Sequence, residues 1–76
     1  MNDNSLVKLG RYRHYKSNEY RVIAVAKHSE TLEPLVVYEA LYENPEGKFW
    51  VRPLAMFIEE VGVDGKRLPR FTYIGE

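Results

Sequence analysis

Residues 35–52 constrain the fold more than any other part of the chain. Along residues 35–42, aromatic and β-branched side chains alternate between the two sides of an extended backbone, which favours a strand. Residues 43–47 contain an Asn-Pro pair and a Gly, which are turn residues. The alternation resumes along residues 48–52. The pattern therefore predicts a β-hairpin whose loop is residues 43–47.

The two faces of this predicted hairpin differ in character. With that loop, Tyr42 lies opposite Lys48, Ala40 opposite Trp50 and Tyr38 opposite Arg52. An aromatic face with a basic edge then carries Tyr38, Ala40, Tyr42, Lys48, Trp50 and Arg52. The other face carries Val37, Leu41, Phe49 and Val51. We expect the second face to form the core and the first to meet a ligand. Glu39 conflicts with this, because it falls on the expected core face, and a one-residue slip would exchange the faces.

The rest of the chain reads as short strands with little helix. Residues 10–15, 20–27 and 69–74 have strand patterns, and residues 28–34 form a loop of about seven residues. Residues 53–61 are ambiguous, because their apolar spacing fits a helix, but we favour one helical or 3₁₀ turn followed by an extended segment. Asp64-Gly65 signals a tight turn. We predict a mostly β fold, a small SH3-like barrel of about five short strands with at most one short helical turn.

The length of 76 residues allows one domain. We expect residues 1–7 to be a flexible N-terminal segment and residues 8–76 to form the barrel. The chain has no Cys, which removes disulfides and Cys-based metal or redox sites. It has no apolar stretch of membrane-spanning length, and we do not expect residues 1–5 to be a signal peptide. These features predict a cytoplasmic protein that does not interact with membranes.

The formal net charge is zero, with 11 basic and 11 acidic residues. This balance argues against binding to extended duplex nucleic acid, whose affinity comes mostly from phosphate neutralisation. The charges are unevenly spread, because residues 10–21 are mostly basic and residues 29–47 hold five Glu with no Lys or Arg. A basic patch can therefore lie beside an acidic one.

Few residues offer catalytic chemistry. His14 and His28 are the two histidines, and no spacing in the chain matches a metal motif. Ser29 lies between His28 and Glu30, but immediate neighbours do not form a hydrolase triad, and no nucleophile elbow is present. The glycines match no phosphate-binding pattern. We therefore predict no metal, no cofactor and no catalytic residue.

Several motifs resemble, in order, the bacterial domain-of-unknown-function family 1653. They are Gly10-x-Tyr12-Arg13-His14-Tyr15-Lys16, Tyr20-x-Val22, the run from Ala26 to Thr31 with Leu35-Val36-Val37-Tyr38, Trp50-Val51-Arg52-Pro53 with Met56-Phe57, and Pro69-Arg70-Phe71. The resemblance covers about residues 8 to 74. It implies a short bacterial protein or domain, and it brings no activity, substrate or catalytic residue with it.

The leading hypothesis is a non-enzymatic binding module for a small anionic or planar ligand, such as a nucleotide, a short single-stranded nucleic acid or a peptide. The candidate ligand-binding residues are Arg13, His14, His28, Glu30, Tyr38, Trp50, Arg52 and Arg70. A small enzyme acting on a nucleotide-like substrate, with His28 and Glu30 as acid and base, is the first alternative. It requires His14, His28 and Glu30 to converge. A structural domain that pairs through a sheet edge is the second. We expect a monomer or a weak dimer.

Overall fold

The computed structural model describes residues 7–76, which form short strands and one helical turn. The elements, in chain order, are β1 (Gly10–His14), β2 (Glu19–Lys27), β3 (Pro34–Ala40), β4 (Phe49–Pro53), α1 (Leu54–Phe57), β5 (Glu60–Val63), β6 (Lys66–Pro69) and β7 (Phe71–Gly75). The predicted mostly β fold is confirmed. The ambiguous segment is the single helical turn α1 followed by the extended β5, and it is not a longer helix.

Five of the strands form one antiparallel sheet in the order β4-β3-β2-β1-β7. The helical turn α1 and the strands β5 and β6 lie between β4 and β7 in the chain. The sheet is not closed into a barrel, because β4 and β7 each have one unpaired edge within residues 7–76. The structure is thus an open half-barrel with β4 and β7 as its two edge strands.

Strand β2 bends the sheet. It pairs with β1 through residues 19–22 and with β3 over almost its whole length. The register with β3 shifts between Val22 and Ala24, which marks a β-bulge at Ile23. A bulge adds one residue to one strand and increases its local bend. The bend lets a single sheet curve around the side chains on its inner face.

Strands β5 and β6 form a separate hairpin around the predicted Asp64-Gly65 turn. Val63 pairs with Lys66, so the loop has two residues, and both have positive φ, 53° at Asp64 and 78° at Gly65. Those values define a type I′ turn, which matches the twist of the flanking strands. Strand β6 was not predicted, because all four of its residues are exposed and show no apolar alternation.

The core on the inner face is largely aromatic. Phe57 of α1 stacks on Phe71 of β7 with ring centroids 4.1 Å apart and planes 6° apart. Tyr12 and Tyr38 approach the Phe57 ring edge-on, at 5.3 Å and 5.7 Å. Aromatic rings bury large areas, so a few of them compensate for the small size of this core. The buried apolar residues are Val7, Tyr12, Val22, Val36, Tyr38, Ala40, Leu54, Phe57 and Phe71.

The prediction of which hairpin face is core was wrong. Tyr38 and Ala40 are each only 4% exposed, whereas Phe49 is 63% and Val51 60% exposed on the opposite face. The assignment failed because purely apolar side chains were expected inside and amphipathic ones outside. In this chain Tyr and Trp supply the core while their polar atoms reach partners at its edge.

The predicted register and loop were also wrong, by two residues. Tyr38 pairs with Trp50, Val36 pairs with Arg52, and the loop between β3 and β4 runs over residues 41–48. A shift of two residues preserves which residues share a face, so Tyr38, Trp50 and Arg52 stay together as predicted. The conflict at Glu39 disappears, because its face is the outer one and its carboxylate lies 3.6 Å from Lys48 Nζ.

Most of the predicted flexible segment 1–7 lies outside the described residues. Its last residue, Val7, packs into the core with 3% exposure. Within residues 7–76, the one helix is far too short to span a bilayer.

Candidate functional site

A cluster of aromatic and basic residues lies where the edge strands β4 and β7 approach each other. The Arg52 guanidinium on β4 sits over the ring of Phe71 on β7, 5.7 Å from its centroid. The His14 ring, at the end of β1, lies 4.9 Å from the same Phe71 ring. We call this cluster the mouth site and define it as His14, Tyr20, Arg52, Arg70 and Phe71.

The turn after β1 fixes the position of His14. The His14 backbone N–H donates to the Asn18 carbonyl at 2.8 Å, and Ser17 N–H donates to the His14 carbonyl at 2.7 Å. The Lys16 backbone N–H donates to His14 Nδ1 at 3.1 Å. Because Nδ1 accepts this bond, the neutral imidazole carries its proton on Nε2, which remains a donor. His14 is therefore held as an oriented donor within the mouth site.

Burial lowers the pKa of His14 below its usual value. The positive charges of Arg52, Arg70 and Lys16, in decreasing order, lower that pKa further. Both effects disfavour the imidazolium form, so His14 is neutral at pH 7. Three cations close enough to act on one ring also create a local positive potential, which favours an anion at the mouth site.

Arg52 is the cation of this site that has no acidic partner among residues 7–76. Its Nε donates to the hydroxyl of buried Tyr38 at 3.3 Å. None of the ion pairs among residues 7–76 involves Arg52, although its side chain is half-buried. A partly desolvated guanidinium without a carboxylate retains its charge and several donors for another group.

Arg70 precedes Phe71 in the chain, and its charge acts on His14. Its Nη2 lies 3.2 Å from Glu59 Oε1, and its backbone carbonyl accepts a hydrogen bond from Tyr15 N–H at 3.0 Å. Its Nε is buried and has no hydrogen-bond partner in the described chain. Glu59 neutralises the charge of Arg70 only in part, because the Glu59 carboxylate is half exposed and solvent screens the ion pair.

Tyr20 connects the mouth site to the loop between β3 and β4. Its hydroxyl is 2.7 Å from the Tyr42 hydroxyl, which also accepts from Asn44 Nδ2 at 3.1 Å. Burial, followed by the hydrogen bond to Tyr42, raises the pKa of Tyr20 well above its usual value. Tyr20 therefore stays protonated, and it contributes a neutral polar atom and an aromatic wall.

Three of the predicted site residues, His14, Arg52 and Arg70, lie in the mouth site. Tyr38 lies beside them, and its hydroxyl accepts a hydrogen bond from Arg52. Tyr38 was predicted as a ligand-binding residue, but its ring is buried in the core. Trp50 is half-buried against the core, and its Nε1 donates to the Gly47 carbonyl at 3.1 Å. Trp50 thus anchors the 41–48 loop.

The other predicted residues lie elsewhere. Arg13 points to the outer face and forms an ion pair with Glu19 at 3.2 Å. His28 Nδ1 accepts from the backbone N–H groups of Glu30 and Thr31, so the imidazole caps its own turn. That turn lies at the far end of the nine-residue β2, about 26 Å along the strand from its start near His14. His14, His28 and Glu30 do not converge, and no three potential ligands in the described part form a metal-binding group.

Sequence reasoning missed Tyr20 and Phe71. Tyr20 precedes Val22 by two residues, so the alternation of β2 already placed it on the same face as a buried residue. Phe71 gave no such signal, because its role depends on β7 pairing with β1 at the opposite end of the sequence.

The family model for a protein of unknown function, DUF1653, matches residues 10–73. The chain belongs to the DUF1653 family. The crystal structure of a DUF1653 protein from Bordetella bronchiseptica is similar to this chain at 37% sequence identity and a TM-score of 0.85, covering 90% of this chain and 87% of that one. No curated protein matches the chain. The family resemblance of the sequence is therefore confirmed, and the mouth site has to be interpreted from its own chemistry.

Proposed function

We propose that this DUF1653 protein is a binding module for a small anionic ligand, which it holds at the mouth site. The observation that carries the proposal is the Arg52 guanidinium, half-buried beside an aromatic ring and without a carboxylate partner among residues 7–76. A phosphate or carboxylate is the group that a guanidinium binds most strongly.

The roles of the neighbouring residues follow from their contacts. Arg52 makes the main ion pair with the ligand, while Tyr38 keeps the guanidinium oriented through its hydroxyl. His14 donates from Nε2, because its Nδ1 is occupied by Lys16 N–H. Arg70 adds positive potential next to Phe71. The ligand is small, because the cations are few and the whole chain has no excess positive charge.

The test is a titration of ¹⁵N-labelled protein with inorganic phosphate, acetate and adenosine monophosphate. We expect at least one of them to shift the resonances of His14, Arg52 and Phe71 in a saturable manner. Arg52→Gln should weaken that binding by about tenfold or more, since a charge-assisted contact is lost. Arg67→Gln is the matched control, because Arg67 is exposed and paired with Glu60 on the separate hairpin.

The fold of Arg52→Gln must first be verified from its amide spectrum, because the substitution leaves the Tyr38 hydroxyl without its donor. Arg52→Lys is a second variant that keeps the charge and loses the planar fork, so it should bind with intermediate affinity. The proposal fails if no anion shifts the mouth-site resonances, or if folded Arg52→Gln binds as tightly as Arg67→Gln.

The enzymatic alternative has less support from the geometry. It needs His14, His28 and Glu30 in one cleft, and the length of β2 separates His14 from the other two.

A further inference from the structure

The free edge of β4 has the features of a strand-binding surface. Ala40 N–H donates to the Lys48 carbonyl at 2.7 Å, which makes the pair of residues 40 and 48 a hydrogen-bonded one. Hydrogen-bonded and non-hydrogen-bonded pairs alternate along antiparallel strands. Phe49 and Val51, opposite Glu39 and Val37, are therefore in non-hydrogen-bonded pairs, and their N–H and C=O groups point away from β3. These groups form an open edge.

The side chains beside this edge are apolar and uncovered. Phe49 is 63% and Val51 60% exposed on the outer face, and Leu41 nearby is 40% exposed. No strand among residues 7–76 pairs with this side of β4. Proteins usually protect such an edge with a bulge, a short strand or inward charges. Here β4 is short, and Lys48 and Pro53 protect only its two ends, so the outward groups of Phe49 and Val51 stay open.

Charge indicates what kind of strand the edge accepts. Lys48 and Arg52 flank the open segment, at the two ends of the run from residue 48 to residue 52. In a dimer, the β4 strands of two copies could pair with Trp50 at the centre. The outward N–H and C=O groups of Phe49 and Val51 would then all form hydrogen bonds between the copies. That register would place Lys48 of each copy opposite Arg52 of the other, and like charges directly opposite destabilise a sheet. Arg52 has no carboxylate partner among residues 7–76, and Lys48 is exposed and only loosely paired with Glu39, at 3.6 Å, so both cations favour a strand that carries carboxylates at those positions.

We propose that β4 binds an extended segment of another protein by strand addition. The segment has an acidic residue opposite Arg52, an apolar residue opposite Val51, any residue opposite Trp50, an apolar residue opposite Phe49 and an acidic residue opposite Lys48. Main-chain hydrogen bonds to Phe49 and Val51 supply affinity, and the alternating side chains supply specificity. This surface is separate from the proposed anion site except for Arg52, which borders both.

The test uses a synthetic peptide with the core Glu-Val-Thr-Val-Glu, capped at both ends, whose sequence reads the same in either direction. The expected result is saturable binding with amide shifts at Phe49 and Val51. A peptide with Lys in place of both Glu should bind about tenfold more weakly or worse. This comparison measures charge complementarity directly.

The protein variants are Val51→Pro and Val51→Thr. Val51→Pro removes an outward N–H that β3 does not use, so we expect a folded protein with about tenfold weaker peptide binding. Val51→Thr keeps the N–H and the β-branched shape and should bind nearly as well as the parent. Phosphate titration of Val51→Pro separates this inference from the proposed function, because the mouth site should be unaffected.

The proposal is overturned if the acidic peptide does not bind, or if Val51→Pro is folded and binds as tightly as Val51→Thr. Sedimentation velocity tests the other occupant of the edge. A dimer that Val51→Pro dissociates, together with no peptide binding, would assign the edge to a second copy of the chain.

Discussion

The reversal of the hairpin faces gives a sharp stability prediction, because Tyr38 and Phe49 are aromatic residues on adjacent strands and opposite faces. Tyr38 is 4% exposed and packs edge-on against the rings of Tyr20, Phe57 and Phe71. Phe49 is 63% exposed and opposes Glu39 on the outer face. We expect Tyr38→Ala to destabilise the protein severely and Phe49→Ala to cost at most about half as much.

The magnitudes follow from burial. Full burial of about 200 Å² at about 25 cal/mol per Å² gives an upper bound of about 5 kcal/mol for the Tyr38 side chain. Measured aromatic-to-Ala changes in cores cost about 3–5 kcal/mol, so we expect about 4 kcal/mol for Tyr38→Ala. Only about a third of Phe49 is covered, which limits its loss to about 2 kcal/mol. A domain of this length has about 4–11 kcal/mol of total stability, so Tyr38→Ala approaches the unfolding threshold.

Urea denaturation monitored by the fluorescence of Trp50, the single tryptophan, measures both variants. Tyr38→Phe is a milder third variant, which keeps the ring and removes only the hydroxyl that accepts from Arg52. The reasoning is refuted if Phe49→Ala costs as much free energy of unfolding as Tyr38→Ala. That result would mean that the outer face, which carries Phe49, is as well buried as the inner face, which carries Tyr38.

Three further predictions concern other parts of the molecule. The pKa of His14 is lower in the folded state than in the unfolded chain, so the unfolded chain binds the proton more readily. The free energy of unfolding should therefore fall as the pH drops from about 7 through the folded-state pKa. His14→Gln should flatten this dependence in urea melts recorded at several pH values. If an anion binds the mouth site, the His14 pKa measured by NMR should rise on saturation; an unchanged value would argue against contact with the ligand. Gly65→Ala, at φ 78°, should cost about 1 kcal/mol, whereas Gly62→Ala, with open space around its Cβ and no positive φ, should be nearly neutral in the same melts.

Much of the fold was predictable because it is encoded locally. The alternation in β2 and β3 and the Asp64-Gly65 turn are short-range signals, and each corresponds to an observed strand or turn. The break at residues 43–47 marked the position of the β3–β4 loop but not its full extent, 41–48. The hairpin face was not predictable from hydrophobicity alone. Phe49 and Val51 are more apolar than Tyr38 and Trp50, yet the larger amphipathic rings fill the inner face and satisfy their polar atoms at its rim.

The candidate site was predictable only in part, since it is assembled from distant segments. His14, Arg52 and Arg70 could be selected as chemistry-bearing residues, but their convergence depends on β7 lying beside β1 and facing β4 across the opening. His28 and Glu30 carried equally suggestive chemistry. Their side-chain and backbone atoms are used within their own turn, which a sequence pattern does not reveal.

The pairing of β1 with β7 also has a consequence for how the protein forms in the cell. His14 pairs with Phe71 and Arg11 with Gly75, so β1 cannot complete its pairing until β7 is present. Phe71 also completes the aromatic stack with Phe57. While the chain is being synthesised, neither this pairing nor the core can be completed until β7 has left the ribosome. Long-range pairings of this kind slow folding and leave apolar surface uncovered in the meantime. The nascent chain therefore leaves part of its apolar core uncovered until β7 pairs with β1.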